Sequence, residues 1–151
     1  MKEKKFKDII PVIKISLNIY EKLITNTAKQ FGLNFGEAQV LLFFYDNDNL
    51  INAKDVAYKD KVSKSFVSKT IKNLVEKNYI KIIVDENDKR YQKIELNNNK
   101  INVIDKLNKT REDYKNYLVS DLSNKELDIF LKVLDKIENN IILYESRYTI
   151  W

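Results

Sequence analysis

The sequence predicts a mainly α-helical chain carrying one small β-hairpin, on three observations. In 151 residues there are only 2 Gly and 1 Pro, so few breakers interrupt long helices. Apolar residues recur at spacings of three and four over long stretches bounded by capping residues, as helices with one buried face require. The stretch IKIIVDENDKRYQKIEL at 80–96 behaves differently. Its apolar residues alternate (Ile80, Ile82, Val84, then Ile94, Leu96) on either side of a six-residue charged loop, the pattern of two paired strands.

Taken in order, residues 6–31 form a long amphipathic helix with Ile9, Ile13, Leu17, Tyr20, Ile24, Ala28 and Phe31 on one face, closed by Gly32. Asn34 begins the next helix, with Glu37 three residues on in a capping-box arrangement. Val40, Leu41, Phe43 and Phe44 follow, and DNDN at 46–49 breaks it. Asn52 caps a short helix, NAKDVAYKD, with Asp55 at its third position. Ser63 caps SKSFVSKTIKNLVEKN, which ends at Asn78, the best left-handed cap after glycine. After the hairpin a long helix runs from about Asn98 to Leu118. The last starts at the capping box SNKE (Ser123 with Glu126) and carries Leu127, Phe130, Leu131, Leu134, Ile137 and Ile141. No repeat and no Gly-, Pro- or Ser-rich linker divides the chain, so one domain, 1–151, is expected.

Composition removes several classes of function. Cys and His are both absent, so disulfides, thiol redox chemistry, thiolate metal sites and the commonest zinc ligand and general base are excluded. No Gly-rich phosphate loop is present, and no acid pair is placed to share a site. Asp85, Glu86 and Asp88 cluster in the hairpin loop, where exposure leaves little means to perturb a carboxyl group. An enzyme is therefore not expected, nor is any cofactor or metal. No apolar run approaches the roughly 20 residues that span a bilayer. The opening MKEKKFKDIIPVIKISL lacks the long apolar core and cleavage site of a signal peptide, so no membrane association and a cytoplasmic location are expected. The net charge of +5 suits an anionic partner.

The helix after Ser63 is where that charge is organised. On a helical wheel Val67, Ile71, Leu74 and Val75 share one face and make the core side. Ser65, Ser68, Lys69 and Lys72 lie opposite, with Lys64 at the N-terminal edge. From Lys61 to Val75 there are four lysines and no acid, in a chain with 22 acids. Small hydroxyl residues near a helix N-terminus permit close approach to base edges, and flanking lysines neutralise phosphates. A merely solvated lysine face would look the same from this helix alone. Phe66 lies at the margin, suited to packing against the neighbouring short helix or to touching a thymine methyl group.

Joined together, NFGEAQVLLFF, NAKDVA, VSKSFVSKTIKNLVEKNYIKIIVDENDKRYQKIEL and LSNKELDIFLKVLDKI resemble the MarR family of bacterial winged helix-turn-helix regulators. The resemblance covers nearly all of the chain and is densest from Val62 to Leu96. There VSKSFVSKTIKNLVEKNYI looks like the recognition helix and D-x-N-D-K-R-Y like the wing. The chain departs from the family pattern around Asp60 and Lys61, where a glycine is usual, at Asn78, where glycine is again usual, and at Leu96-Asn97 and Lys100 after the wing.

The resemblance implies a winged helix-turn-helix lobe at 34–96, flanked by long dimerisation helices at 6–31 and 98–146. It implies a homodimer that binds a pseudo-palindromic double-stranded operator as a sequence-specific transcriptional regulator, a repressor released by a small ligand. Ser63, Ser65, Ser68 and Lys69 would approach bases or nearby phosphates, with Phe66 beside them, and Lys61, Lys64 and Lys72 would hold phosphates. In the wing, Asp88 matches the family's acid and Arg90 its base; Asp88 would orient the basic side chains while Lys89 or Arg90 reaches the minor groove. Dimerisation also follows from the residues, because so small a core cannot cover the apolar stripes on 6–31 and 123–144. The competing possibility is that the long helices cover one another within a monomer. Relatives that bind small aromatic ligands do so between the arms and the lobe, and Tyr20, Phe31, Phe35 and Phe44 border that crevice, although aromatics at this spacing read first as core. The alternative function is a winged-helix protein-interaction module that does not read DNA.

Overall fold

A computed structural model of the chain describes residues 9–47, 63–84 and 92–148. The elements are α1 (Ile9–Lys29), α2 (Phe35–Asp46), α3 (Lys64–Glu76), β1 (Ile80–Val84), β2 (Gln92–Leu96), a 3-10 turn (Asn98–Lys100), α4 (Ile101–Leu118) and α5 (Asn124–Tyr148). The short helix expected at NAKDVAYKD and the tip of the hairpin lie outside the described residues. The chain divides into two compact units, 1–113 and 114–151.

In the first unit α2 is the centre of the core. Ala38, Val40, Leu41, Leu42, Phe43 and Phe44 are all buried, as befits a helix that is apolar around its whole circumference. Ile24 and Ala28 from α1, Val67, Ile71 and Leu74 from α3, Tyr79, Ile80 and Ile94 from the hairpin, and Ile104 and Leu107 from α4 close around it. Phe44 therefore belongs to the core, with Tyr20, Phe31 and Phe35 half-buried against it. Replacing the fully buried Ile24 with Ala removes three carbons where α1 meets this core. The expected loss is about 2–5 kcal/mol of folding stability, read from thermal melting by circular dichroism at fixed protein concentration.

Local chemistry sets the boundaries. The side chain of Asn34 accepts the Glu37 N–H at 2.9 Å while Glu37 accepts the Asn34 N–H at 2.9 Å, so the capping box is complete. Gly32, at φ +69°, turns the chain out of α1, and Leu33 N–H returns to the Ala28 carbonyl. Asn78 does the same after α3, at φ +60°, with Tyr79 N–H returning to the Leu74 carbonyl at 2.9 Å. Both are the left-handed closures expected of these residues. β1 and β2 pair antiparallel in the register Ile80↔Leu96, Ile82↔Ile94, Val84↔Gln92. The helix expected from Asn98 opens with the 3-10 turn, because Asn97 caps it by accepting Asn99 N–H at 3.1 Å. Arg111 of α4 holds Asp46 at the end of α2 through two hydrogen bonds of 2.6 Å.

The long helices carry apolar faces that their own units do not bury. On α1 the stripe leading to Ile24 continues outward as Leu17, Ile13 and Ile9, all exposed, and a second stripe is formed by Val12, Ile15, Ile19 and Leu23. α5 begins at a second capping box, in which Ser123 N–H donates to Glu126 at 2.9 Å, and it has no buried residue. Its residues Leu127, Phe130, Leu134, Ile137, Ile141, Tyr144 and Tyr148 follow one another at alternating intervals of three and four, which is the seam of a helix that packs lengthwise against another.

Candidate nucleic-acid interface

The candidate surface is the outer face of α3. Val67, Thr70, Ile71 and Leu74 are buried on its inner side. Thr70 replaces Val75 in the fully buried set, because its hydroxyl donates to the Phe66 carbonyl at 2.9 Å and so enters the core satisfied. On the outer side Ser63, Lys64, Ser65, Ser68, Lys69 and Lys72 are all exposed. Ser63 caps the helix by accepting Phe66 N–H at 3.2 Å, and its hydroxyl lies 3.1 Å from that of Ser65. Two short hydroxyl side chains thus lie where the helix N-terminus favours an anion.

The cations of this face are only weakly engaged elsewhere. Lys72 lies 4.0 Å from Glu76, with the two side chains 78% and 63% exposed, a contact worth little in water. Phe66 is 44% exposed. Its ring lies against α2, where a Cβ on Gly36 would lie 2.6 Å from it, and the neighbouring short helix expected beside it lies outside the described residues.

The base of the hairpin is tied to the end of this helix. Asn97 N–H donates to the Tyr79 carbonyl and the Asn97 side chain to the Asn78 carbonyl, each at 2.9 Å. Tyr79 is buried, and its hydroxyl donates to the Phe31 carbonyl at 3.1 Å. Burial, and then the charge of Glu37, push the Tyr79 phenol above its ordinary range, so it remains a donor throughout the neutral pH range. Lys61, Asp88, Lys89 and Arg90 lie outside the described residues.

One contact has no counterpart in the sequence reading. Glu37 is 1% exposed, and both its carboxylate oxygens accept from Lys77 at 2.8 and 2.9 Å. Lys77 also donates to the Gly32 carbonyl at 2.8 Å. Glu37 had a sufficient explanation in its capping box, and Lys77 stands 40 residues away, so no local signal joins them. Among the described residues no group of three or more His, Cys, Asp or Glu could hold a metal ion, and no helix is long and apolar enough to cross a membrane.

Residues 31–90 match the sequence model of the MarR family. The fold is that of a MarR transcriptional regulator from Methanosarcina mazei Go1, with 19% identity, TM-score 0.76 and coverage of 91% of this chain and 99% of that one. The S. aureus MepR–DNA complex aligns at 21% identity and TM-score 0.74 over 91% of this chain and 99% of its own. A protein of Listeria monocytogenes complexed with a 26mer DNA aligns at 17% identity and TM-score 0.79 over 98% and 97%. No match was found among curated proteins.

Proposed function

We propose that this chain, whose segment 31–90 is of the MarR family, acts as a homodimeric, sequence-specific regulator of transcription that binds double-stranded DNA. The observation that carries this reading is the outer face of α3, where lysines and serines stand exposed opposite a buried apolar face. Ser63, Ser65, Ser68 and Lys69 approach base edges, with Phe66 beside them. Lys61, Lys64 and Lys72 hold phosphates. The hairpin acts as the wing, in which Asp88 orients the basic side chains and Lys89 or Arg90 enters the minor groove, where negative potential is strongest. Structures solved on DNA among proteins of the same fold support the partner class.

The exposed apolar stripes of α1 and α5 support dimerisation through segments 6–31 and 98–146, on either side of the DNA-binding lobe 34–96. A dimer presents two such faces to a pseudo-palindromic operator. Its place of work is the cytoplasm, its effect is repression, and release comes from a small aromatic ligand bound beside the arms. Catalysis has no part in this reading.

Selection of duplexes from random DNA, followed by titration of the tightest one against salt, tests the proposal. Six phosphates neutralised by a dimer at roughly −0.9 each give a log–log slope of about −5. Tight binding that ignores salt, or no duplex retained at all, sinks the reading. Arg90→Ala is expected to weaken binding of the selected duplex roughly tenfold, on the scale of one lost groove contact, with an unchanged melting temperature. Equal affinity in Arg90→Ala and wild type would remove Arg90 from the interface.

A further inference from the structure

A helix presents bases with the right side chains only if its axis is held, and two consecutive residues of α2 receive the two ends of α3. Near the N-terminus the Phe66 ring lies over Gly36, so close that a Cβ there would meet Cζ at 2.6 Å and Cε2 at 3.3 Å. At the other end Lys77 of the closing turn reaches Glu37 at 2.8 and 2.9 Å. We propose that Gly36 and Glu37 form a two-point seat that sets the tilt of α3 against DNA, making Gly36, Glu37, Phe66 and Lys77 positioning residues for base reading. The inference rests on the DNA-binding function proposed above.

Geometry explains why two points matter. Phe66 and Lys77 are eleven residues apart, about 16 Å along a helix axis at 1.5 Å per residue. A helix held at one point can pivot, and a second contact from its other end opposes that motion. A slip of about 1 Å at either end would turn the axis by roughly 4° over this length, enough to shift Ser65, Ser68 and Lys69 together.

The chemistry of each contact fits a positioning role. All three ammonium hydrogens of Lys77 have protein acceptors, the two oxygens of Glu37 and the Gly32 carbonyl. Its charge is therefore committed to the fold. Glu37 is buried and cannot meet DNA. Gly36 sits in a helical turn, where glycine is weaker than alanine, and its backbone is not in the left-handed region. What it provides is room for the ring.

The test uses the full-length protein and the tightest duplex selected by the wild type, with affinities measured well below melting. Gly36→Ala, Glu37→Gln and Lys77→Met are each expected to lower affinity roughly tenfold, the scale of one mismatched base pair. The salt slope should be unchanged, because no phosphate contact is removed. Gly36→Ala should do this with an equal or higher melting temperature, since alanine favours the helix and the Phe66 ring can swing aside; a purely structural role gives no such split. Lys77→Arg should restore most of the affinity, because a guanidinium can also bridge Glu37 and the Gly32 carbonyl. Unchanged affinity in all three variants overturns the seat. So does a Lys77→Met slope shallower by about 0.9, which would make Lys77 a phosphate ligand. Amide exchange provides an arm free of DNA: Val67 to Thr70 should exchange faster in Gly36→Ala, and Leu74 to Tyr79 in Glu37→Gln. If the wild type retains no duplex, it is the DNA-binding reading that fails, and unchanged exchange then overturns the seat.

Discussion

Reversing two charges on α3, by Lys69→Glu together with Lys72→Glu, is expected to abolish retention of duplex DNA while leaving a folded dimer. Both side chains are exposed, so neither substitution opens the core, and surface changes of this kind usually stay within about 0.5 kcal/mol. The one local cost is at Glu76, which loses Lys72 at 4.0 Å and gains a like charge one turn away, about 0.2–0.5 kcal/mol. The effect on DNA is of another order. In the proposed complex each protomer loses two cations and gains two anions on the face turned to the phosphates, and the proposed dimer doubles that change. Affinity at moderate salt should fall by at least about a thousandfold, since losing several phosphate contacts alone changes binding on that scale. Fluorescence anisotropy on the selected duplex reads the loss, and circular dichroism confirms the fold. A double variant that still bound duplex DNA would remove this face from the interface. The same variant separates the alternative function, because a protein-interaction module would keep its partner.

Much of the fold could be read from the sequence because its boundaries are written locally. Asn34 with Glu37, Ser63, Gly32, Asn78 and Ser123 with Glu126 are all signals contained within a few residues, and each closes or opens a helix as its chemistry requires. The alternation that marked the hairpin also placed Ile80 and Ile94 in the core, whereas Ile82 of the same set stays exposed. The outer face of α3 was legible for the same reason, since a helical wheel needs only the helix itself. What the wheel could not supply was anything decided by a distant partner. Gly36 is explained only by Phe66, 30 residues later, and the burial of the Glu37 carboxylate, beyond its capping role, by Lys77, 40 residues later. Such contacts leave no periodicity, and they join α2 to both ends of α3.

Placing two carboxylates on the seam of α5, by Leu134→Glu with Ile137→Glu, is expected to convert the proposed dimer to a monomer and to weaken the proposed operator binding by about 10²–10⁴-fold. Leu134 and Ile137 are 42% and 44% exposed and occupy successive positions of the stripe that alternates by three and four residues. Within the chain neither side chain is buried, and glutamate is a good helix former, so α5 should remain helical in the variant. Between two copies the same positions would face apolar surface, and carboxylates left there unpaired would carry a desolvation cost that association cannot offset. Sedimentation should move from twice the 17.9 kDa of one chain to 17.9 kDa, with an unchanged helical circular dichroism signal. The loss of affinity follows from geometry alone, because α3 is untouched. A monomer engages one half-site, and the second recognition helix is no longer delivered at high effective concentration. If the long helices instead covered one another within a single chain, the wild type would already sediment as a monomer. The two glutamates would then unfold it rather than divide it.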